Sequence, residues 1–527
     1  MKKNLLVTLS IILFTTEILF PQIKPESFFI GKKSTMDKTA LSSTPSSNSI
    51  TDIIVVGDTV WLGMGTGVSL STDRGATWTN FAGTPAFGTE SISAIGYYKG
   101  TFWAATAHDE NTSQGTVQTG SGLRYTTDAG KTWTTIPQPV DQESDSVITY
   151  GINKLSALPV TVPEQNVIFD MTFTPGTIWI ASFAAGVRRS TDMGKTWQRV
   201  ILPPDNLNSI SPNDTLNFYY SPVAGKMSAV NNYNLEGFSI LAINDSTIYA
   251  GTAGGINLTT DANSQYPSWT KFNHTNENNP ISGNWVTALG YNNTDHTIWA
   301  GSWKANGETE FYAVSYSSDG GANWQTTLAQ QKVYNFGIKD NQVIAASDAG
   351  AFRTSDNGKD WILPNTITDA NTKISILTQS FYAAAFQGGS IWLGSGDGLA
   401  RLVETGGMWQ GTWKVYFASQ PLASSSDAYA YPNPFNPRTD VLKIKYSTNG
   451  TEPVTIRILN FSMQVVKTII QDANRGNPIH VVDSPSGTID YWDGTDQAGN
   501  IVPNGVYFYR IDVGSQKPVY GKILVLQ

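Results

Sequence analysis

STDRGATW, residues 71–78, decides how this chain is read. It opens like a loop, with Ser71, Asp73 and Gly75, and closes on Trp78, a large apolar side chain. The string returns as TTDAGKTW (126–133), STDMGKTW (190–197), SSDGGANW (317–324) and TSDNGKDW (354–361). Two further positions hold decayed forms: TTDANSQYPSW (259–269) has an insertion before its Trp, and LVETGGMWQGTW (402–413) lacks the Asp. A structural part tolerates such decay where packing compensates. A catalytic set repeated along a chain does not explain it.

The string belongs to a larger unit. DIIVVGDTVWLGMGTGVSLSTDRGATWTNF (52–81) parses as strand, tight turn, strand, Gly turn, strand, the repeated string and a last strand. Further units start near Ile92, Ile168, Phe238, Val286, Val333 and Phe381, and seven second strands follow one pattern, from TVWLGM through TIWIAS, TIYAGT and TIWAGS to SIWLGS. Four strands per roughly 50 residues is the mark of a propeller, in which each sheet covers its neighbours and closure hides the end faces. The sequence predicts an all-β chain with seven blades over 50–417. Alternation in TIWAGS puts Ile and Ala on one face and Trp and Gly on the other.

The repeated string should form the hairpin between third and fourth strands. Asp73 accepts hydrogen bonds from N–H groups two or so residues on, Gly75 supplies a positive φ, and Ser71 offers its hydroxyl. Trp78 enters the core between blades, its indole N–H seeking a carbonyl. The pattern S/T-x-D-x-G-x-x-W resembles the Asp-box of the sialidase and BNR-repeat propellers. That resemblance implies a structural role, away from any active site, for Asp73, Asp128, Asp192, Asp319 and Asp356 with Trp78, Trp133, Trp197, Trp324 and Trp361. Calcium or ligand binding by these aspartates is the alternative reading.

Composition agrees with strands and turns. The 527 residues are only 14% charged, against roughly 25% in an average globular protein. The net charge of −8 and the absence of a Lys/Arg cluster argue against nucleic-acid binding. Cysteine is absent, and the four histidines (His108, His274, His296, His480) lie far apart, so no cofactor or metal site is expected. Met1-Lys2-Lys3 followed by an apolar run from Leu5 to Phe14 reads as a signal peptide over 1–22. Glu17 and the lack of a clean small-x-small triplet leave its cleavage point open. The run is short of the roughly 20 residues of a transmembrane helix, and no later segment could span a bilayer. Residues 23–49 read as a loose lead-in.

In a propeller, first-to-second and third-to-fourth turns share one rim, while second-to-third turns and blade-to-blade links share the other. The long insertions (107–121, 137–167, 203–237, 273–285 and 303–311) all belong to the second class. The rim opposite the repeated strings is therefore the expected binding face. Its candidate ligand contacts are His108, Tyr219, Tyr220, Tyr233, Trp303 and Tyr312, aromatics among amides that suit a sugar or a peptide. The competing reading is that they pack the insertions onto the rim. Weak catalytic candidates are Asp109, Glu110, Glu308 and Glu310. Glycoside hydrolysis needs two carboxylates about 5–5.5 or 6.5–9.5 Å apart, and these come from blades three apart. A sialidase is not expected: that family's F/Y-R-I-P segment is missing, and Arg124, Arg188, Arg189, Arg353 and Arg401 repeat at one strand position, which fits blade-to-blade structure.

Residues 418–427 read as a linker, and 428–527 as a small β-sandwich. Pro432-Asn433-Pro434-Phe435-Asn436-Pro437, Trp492-Asp493-Gly494, Gly499, Gly505-Val506-Tyr507 and Lys522-Ile523-Leu524-Val525 carry a close resemblance to the type A sorting domain of type IX secretion substrates. They also resemble the Ig-like domain of the flagellar hook-capping protein. The first resemblance implies an Ig-like fold, passage across the outer membrane and the outer-membrane secretion machinery as partner; together with the leader, export across the inner and outer membranes is expected. The whole chain thus reads as a secreted or cell-surface bacterial protein that binds a glycan or a protein, with a hydrolase of neutral polysaccharides as the alternative.

Overall fold

Short antiparallel strands joined by tight turns account for almost every ordered element, as the abundance of Gly, Ser, Thr and Asn requires. The computed structural model describes residues 42–527 except 114, 222–231, 306, 372–374, 419–427, 439, 447–451 and 476–489. The signal-peptide reading lies outside these residues. Seven sheets follow one another over 50–80, 91–136, 168–199, 237–272, 285–327, 333–354 and 381–416. We number them blades 1 to 7. Each is a meander, its strands paired in chain order. Blade 6 has three strands, and a backbone bridge between Arg353 and Ile362 takes the place of its fourth.

The first strand of each blade touches the first strands of its two neighbours, and that of blade 7 (Phe381–Gln387) touches that of blade 1 (Ile50–Val56). The sheets therefore close into a seven-bladed propeller. Blades 1 and 7 each use their own strands, so closure needs a clasp, and residues 42–49 provide it. Ser42 exchanges two 2.8 Å backbone bonds with Trp78. Asn48 receives the Gly398 N–H at 2.8 Å and that of Ala418 at 2.7 Å. This part of the expected loose lead-in is pinned to both ends of the ring.

All seven first strands bulge at the same place. A bulge leaves one residue out of the ladder and re-aims its side chain. The residues left out are Thr51, Ser93, Phe169, Phe238, Thr287, Tyr334 and Tyr382. Where the next residue is Asp or Asn, its side chain recaptures the loose N–H: Asp52 takes that of Ile53 at 2.9 Å, Asp170 that of Met171 at 2.8 Å, and Asn335 that of Phe336 at 2.7 Å.

Two insertions leave the rim on which they begin. A hairpin, Val147–Tyr150 with Asn153–Ser156, and a short strand, Ser209–Ile210, cover the outer wall at the seam of blades 3 and 4. Ser209–Ile210 pairs with Trp269–Phe272 as a fifth strand. The Tyr150 hydroxyl donates to the Pro267 carbonyl at 2.7 Å, in the hairpin on the opposite rim. The expectation that all insertions crowd one face is corrected here. Ile148, Tyr150, Leu155 and Ile210 are apolar and bury themselves against Val200–Leu202 of blade 3, and removing them from water outweighs staying at the rim. The matching seam of blades 1 and 2 keeps an open groove of about 700 Å³ beside Phe81 and Trp133.

Beyond the ring, Ala428–Tyr431, Leu442–Tyr446 and Asp490–Trp492 form one sheet. Val465–Ala473, Val454–Leu459, Gly505–Val513 and Val519–Val525 form a second, in that order. The two share one core around Phe435, Ile444, Ile456, Trp492, Tyr509 and Ile523. Alternate burial along Gly505–Val513 is what a strand with one face on a core must show.

Candidate functional site

The hairpins at the first rim come first, because their geometry separates structure from chemistry. The Ser71 hydroxyl donates to Asp73 at 2.8 Å and accepts the Gly75 N–H at 2.7 Å. Asp73 in turn accepts the Thr77 N–H at 2.9 Å and the Thr77 hydroxyl at 2.6 Å. The bond reaches four residues on, farther than the two the sequence suggested. Asp128 and Asp192 repeat it with Thr132 and Thr196, Asp319 with Asn323, and Asp356 with the Asp360 N–H. In the decayed unit Asp261 still accepts the Ser268 N–H at 2.9 Å. Two consecutive left-handed residues, not one, make each turn, as at Arg74 and Gly75 with φ of 57° and 80°. Four N–H and O–H donors hold each of Asp73, Asp128, Asp192 and Asp319 ionised. Burial acts the other way at Asp73, but the Thr77 bonds outweigh it and hold its pKa at about 2. Thr132, Thr196 and Asn323 bring Asp128, Asp192 and Asp319 to about 2 as well.

Each tryptophan of these hairpins packs on the preceding blade. Trp78 stands edge-on to Trp392 and Tyr416 of blade 7, at 6.1 and 5.7 Å. Trp133 meets Phe87 at 4.7 Å and Phe81 at 5.3 Å, and Trp361 meets Trp299 at 6.2 Å. Ring packing sets these poses, not the indole N–H. The Trp197 N–H finds the Gly194 carbonyl and that of Trp361 the Thr327 hydroxyl. Those of Trp78, Trp133 and Trp324 are buried with no hydrogen-bond partner among the described residues. Three of the arginines bond the next blade, while Arg124 holds the Ala86 carbonyl of the link before its blade and Arg188 the Asp141 carboxylate of the link before its own. Arg401 reaches the Arg74 carbonyl of blade 1, Arg189 the Ser264 carbonyl of blade 4, and Arg353 grips Glu404 of blade 7 with two nitrogens. They form no common pocket.

The opposite rim carries a belt of aromatic side chains around the mouth of the ring. Phe238 lies 6.3 Å from Phe169, 6.1 Å from Phe183 and 6.4 Å from Trp285. Trp303 continues it, 5.6 Å from Tyr334, which is 5.3 Å from Tyr382. Trp285 packs against both groups and joins them. Four members, Phe169, Phe238, Tyr334 and Tyr382, are bulge residues, so the distortion of the first strands aims them here. Phe183, Trp285 and Tyr312 are half-buried and leave ring surface free. The Lys332 ammonium sits 5.5 and 5.1 Å from the rings of Trp303 and Tyr312.

The candidate residues divide. Trp303 belongs to the belt but is 4% exposed, its N–H on the Val333 carbonyl at 3.1 Å, so it supports the mouth and Tyr312 faces it. His108 is half-exposed, its Nδ1 2.7 Å from the Ser121 hydroxyl and 3.3 Å from Glu90. Tyr220 is buried in the outer-wall cluster with its hydroxyl on the Val200 carbonyl. Tyr233 is exposed beside the blade 3–4 link, its N–H on Asp205, and Tyr219 lies half-buried next to Tyr220. Among the acids, Glu310 is buried and accepts the N–H groups of Asn284, Ala305 and Gly307 and the Asn284 amide, the work of a loop buckle. Glu308 and Glu110 are exposed. Asp109 stands on the extended hairpin of blade 2 (Thr101–Thr112), where burial raises its pKa.

One acid was missed. Glu236 is half-buried at the head of blade 4, where burial and then the charge of Asp205 push its pKa up to about 7. Asp205 is itself raised by burial, and Lys271 beneath it, its ammonium on the Pro204 carbonyl, is lowered by burial to about 8. The signal was the spacing of acids flanking the 203–237 insertion. Among the described residues no three His, Asp or Glu side chains group as metal ligands, and no helix is long and apolar enough to cross a membrane.

No family model and no curated protein matches this sequence. Solved structures do. PorZ, described as an essential bacterial surface component of the type-IX secretion system of Porphyromonas gingivalis, aligns at 14% identity and a TM-score of 0.43. The alignment covers 92% of this chain, which spans about 60% of the length of that one. YCF48 bound to D1 peptide aligns at 16% identity and 0.39, over 68% of this chain and 94% of that one. A GH74 xyloglucanase from Xanthomonas campestris aligns at 12% and 0.27, over 86% and 69%. The class is set by the coordinates themselves: a seven-bladed β-propeller followed by two packed sheets.

Proposed function

We propose that this propeller is a non-enzymatic module that binds a neutral glycan or a protein segment at its aromatic mouth. Half-buried Phe183, Trp285 and Tyr312 around one opening carry the reading. Rings held rigid by neighbours present flat apolar faces at low entropic cost, the surface on which sugar C–H faces and extended peptides settle. The acids first considered for hydrolysis do not gather there: Glu310 is consumed by four N–H donors and Asp109 lies on another blade. Export follows from the leader and from the 428–527 resemblance to sorting domains, and the repeated hairpins act as Asp-boxes that staple each blade to the one before.

Hydrolysis of a neutral polysaccharide keeps one specific support: Glu236 holds a proton near neutrality beside Asp205, the state a general acid needs. The full chain on a glycan array, with reducing-sugar release in parallel, separates the two. Retention without release supports binding. Release that Glu236→Gln abolishes supports hydrolysis. Neither retention nor release sinks both for glycans. Export is checked by deleting 428–527: a truncated chain that still reaches the medium removes the sorting role.

A further inference from the structure

The C-terminal sandwich rests on the mouth-bearing rim. Lys443, in the strand Leu442–Tyr446, is 1% exposed, and its ammonium meets Asp397. Asp397 stands in the second-to-third turn of blade 7, on the same rim as the mouth. The same ammonium lies 4.3 Å from the centre of the Phe417 ring, and Phe417 lies 5.6 Å from Tyr431 of the sandwich. Around these contacts the protein atoms leave a cavity of about 480 Å³, walled by Thr378, Ser380 and Tyr382 on the propeller and by Pro432, Pro434 and Phe435 on the sandwich. Tyr382 is shared between this cavity and the aromatic belt, where it packs on Tyr334.

Two features make this contact easy to open. A buried ion pair returns little net stability, because both charges give up water to form it. A void of this size forfeits the dispersion contacts that a closed interface would gain. The sandwich, meanwhile, has a complete core of its own and loses none of it on leaving. We propose that the sandwich is a releasable cap: docked through Lys443 and Asp397 it covers the blade 7 side of the mouth, and its departure exposes Tyr382 and the belt to ligand. The consequence for ligand rests on the mouth being the binding face; the docking does not.

The chain has no cysteine, so a single thiol reports the docking without ambiguity. Full-length Ser380→Cys is labelled with a maleimide, alone and with Asp397→Lys, with Lys443→Glu, or with both. Like charges forced together should release the cap, so each single reversal labels at least about tenfold faster, and the double reversal restores slow labelling. Asp397→Lys leaves every sandwich residue in place, so its effect is not sandwich unfolding. Equal rates in all four proteins, or fast labelling that the double reversal fails to slow, overturn the cap. Faster labelling with stronger retention on the glycan array supports the whole proposal. Faster labelling with no gain on the array supports the cap and overturns the binding face.

Discussion

The two rims of the ring are built by different means. On the hairpin rim, polar groups find partners within eight residues of chain, and the same bond recurs: hydroxyl to Asp at 2.7 or 2.8 Å in five blades. On the mouth rim the blades keep a shared bulge, but the side chains beyond it differ. Blade 2 brings His108 against Ser121, blade 5 a loop buckled on Glu310, blade 6 Lys332 between two rings, and blade 7 a docking point for the sandwich. Repetition makes an end that is stable and chemically mute. Divergence makes an end that can recognise something.

Breaking the hairpin rim should cost most. Trp78→Ala empties a fully buried site between blades 1 and 7 and should lower stability by about 3–5 kcal/mol in denaturant titration. A loss below about 1 kcal/mol would mean that residues 42–49 carry the closure. Next comes Gly130→Ala, with φ of 84° and a Cβ that would run into the Phe81 ring, expected to cost about 1–3 kcal/mol. Gly57→Ala, also at positive φ but in open space, should cost less, and equal costs would refute the role of Phe81. On the mouth rim the effect moves from stability to binding. Trp285→Ala should leave melting nearly unchanged and weaken retention of any array ligand by about tenfold, whereas Tyr220→Phe on the outer wall should leave retention alone.

The effects of pH are spread over several units and have opposite signs at the two rims. The hairpin aspartates sit at about 2, below their ordinary 3.8. Their contribution is therefore present above about pH 4 and lost as pH falls to about 2. Glu236 sits at about 7, above its ordinary 4.5. The folded chain keeps that proton while the unfolded chain releases it, so stability falls as pH rises from about 4.5 to 7 and is level beyond. Melting curves of Asp192→Asn should flatten only the acid limb, and those of Glu236→Gln only the slope between 4.5 and 7. The reverse assignment would undo the comparison.

Much of this was legible in the chain. Seven units, their strand order, the hairpin and the seat of Trp78 between blades all rest on contacts close in sequence or repeated at a fixed period, and both leave a pattern. The mouth was only partly legible. Phe169, Phe238, Tyr334 and Tyr382 share one slot in their units, just before Asp170, Ser239, Asn335 and Ala383, but only a bulge turns that slot inward. The run of insertions down the outer wall depends on Tyr150 meeting Pro267 across 117 residues, and no local pattern encodes such a meeting. Tyr220 was placed at the mouth for the same reason: its loop starts from that rim but buries Tyr220 in the wall.

The sequence by itself determined the blade, its copy number and the hairpin that fastens it, because a four-stranded meander and an eight-residue turn satisfy their own hydrogen bonds wherever they stand. Only the tertiary structure decided which side chains share the mouth, that Glu236 keeps a proton, and that Lys443 finds Asp397. Those depend on distance and burial between segments that no single hairpin or blade contains, quantities that exist only once the chain has packed.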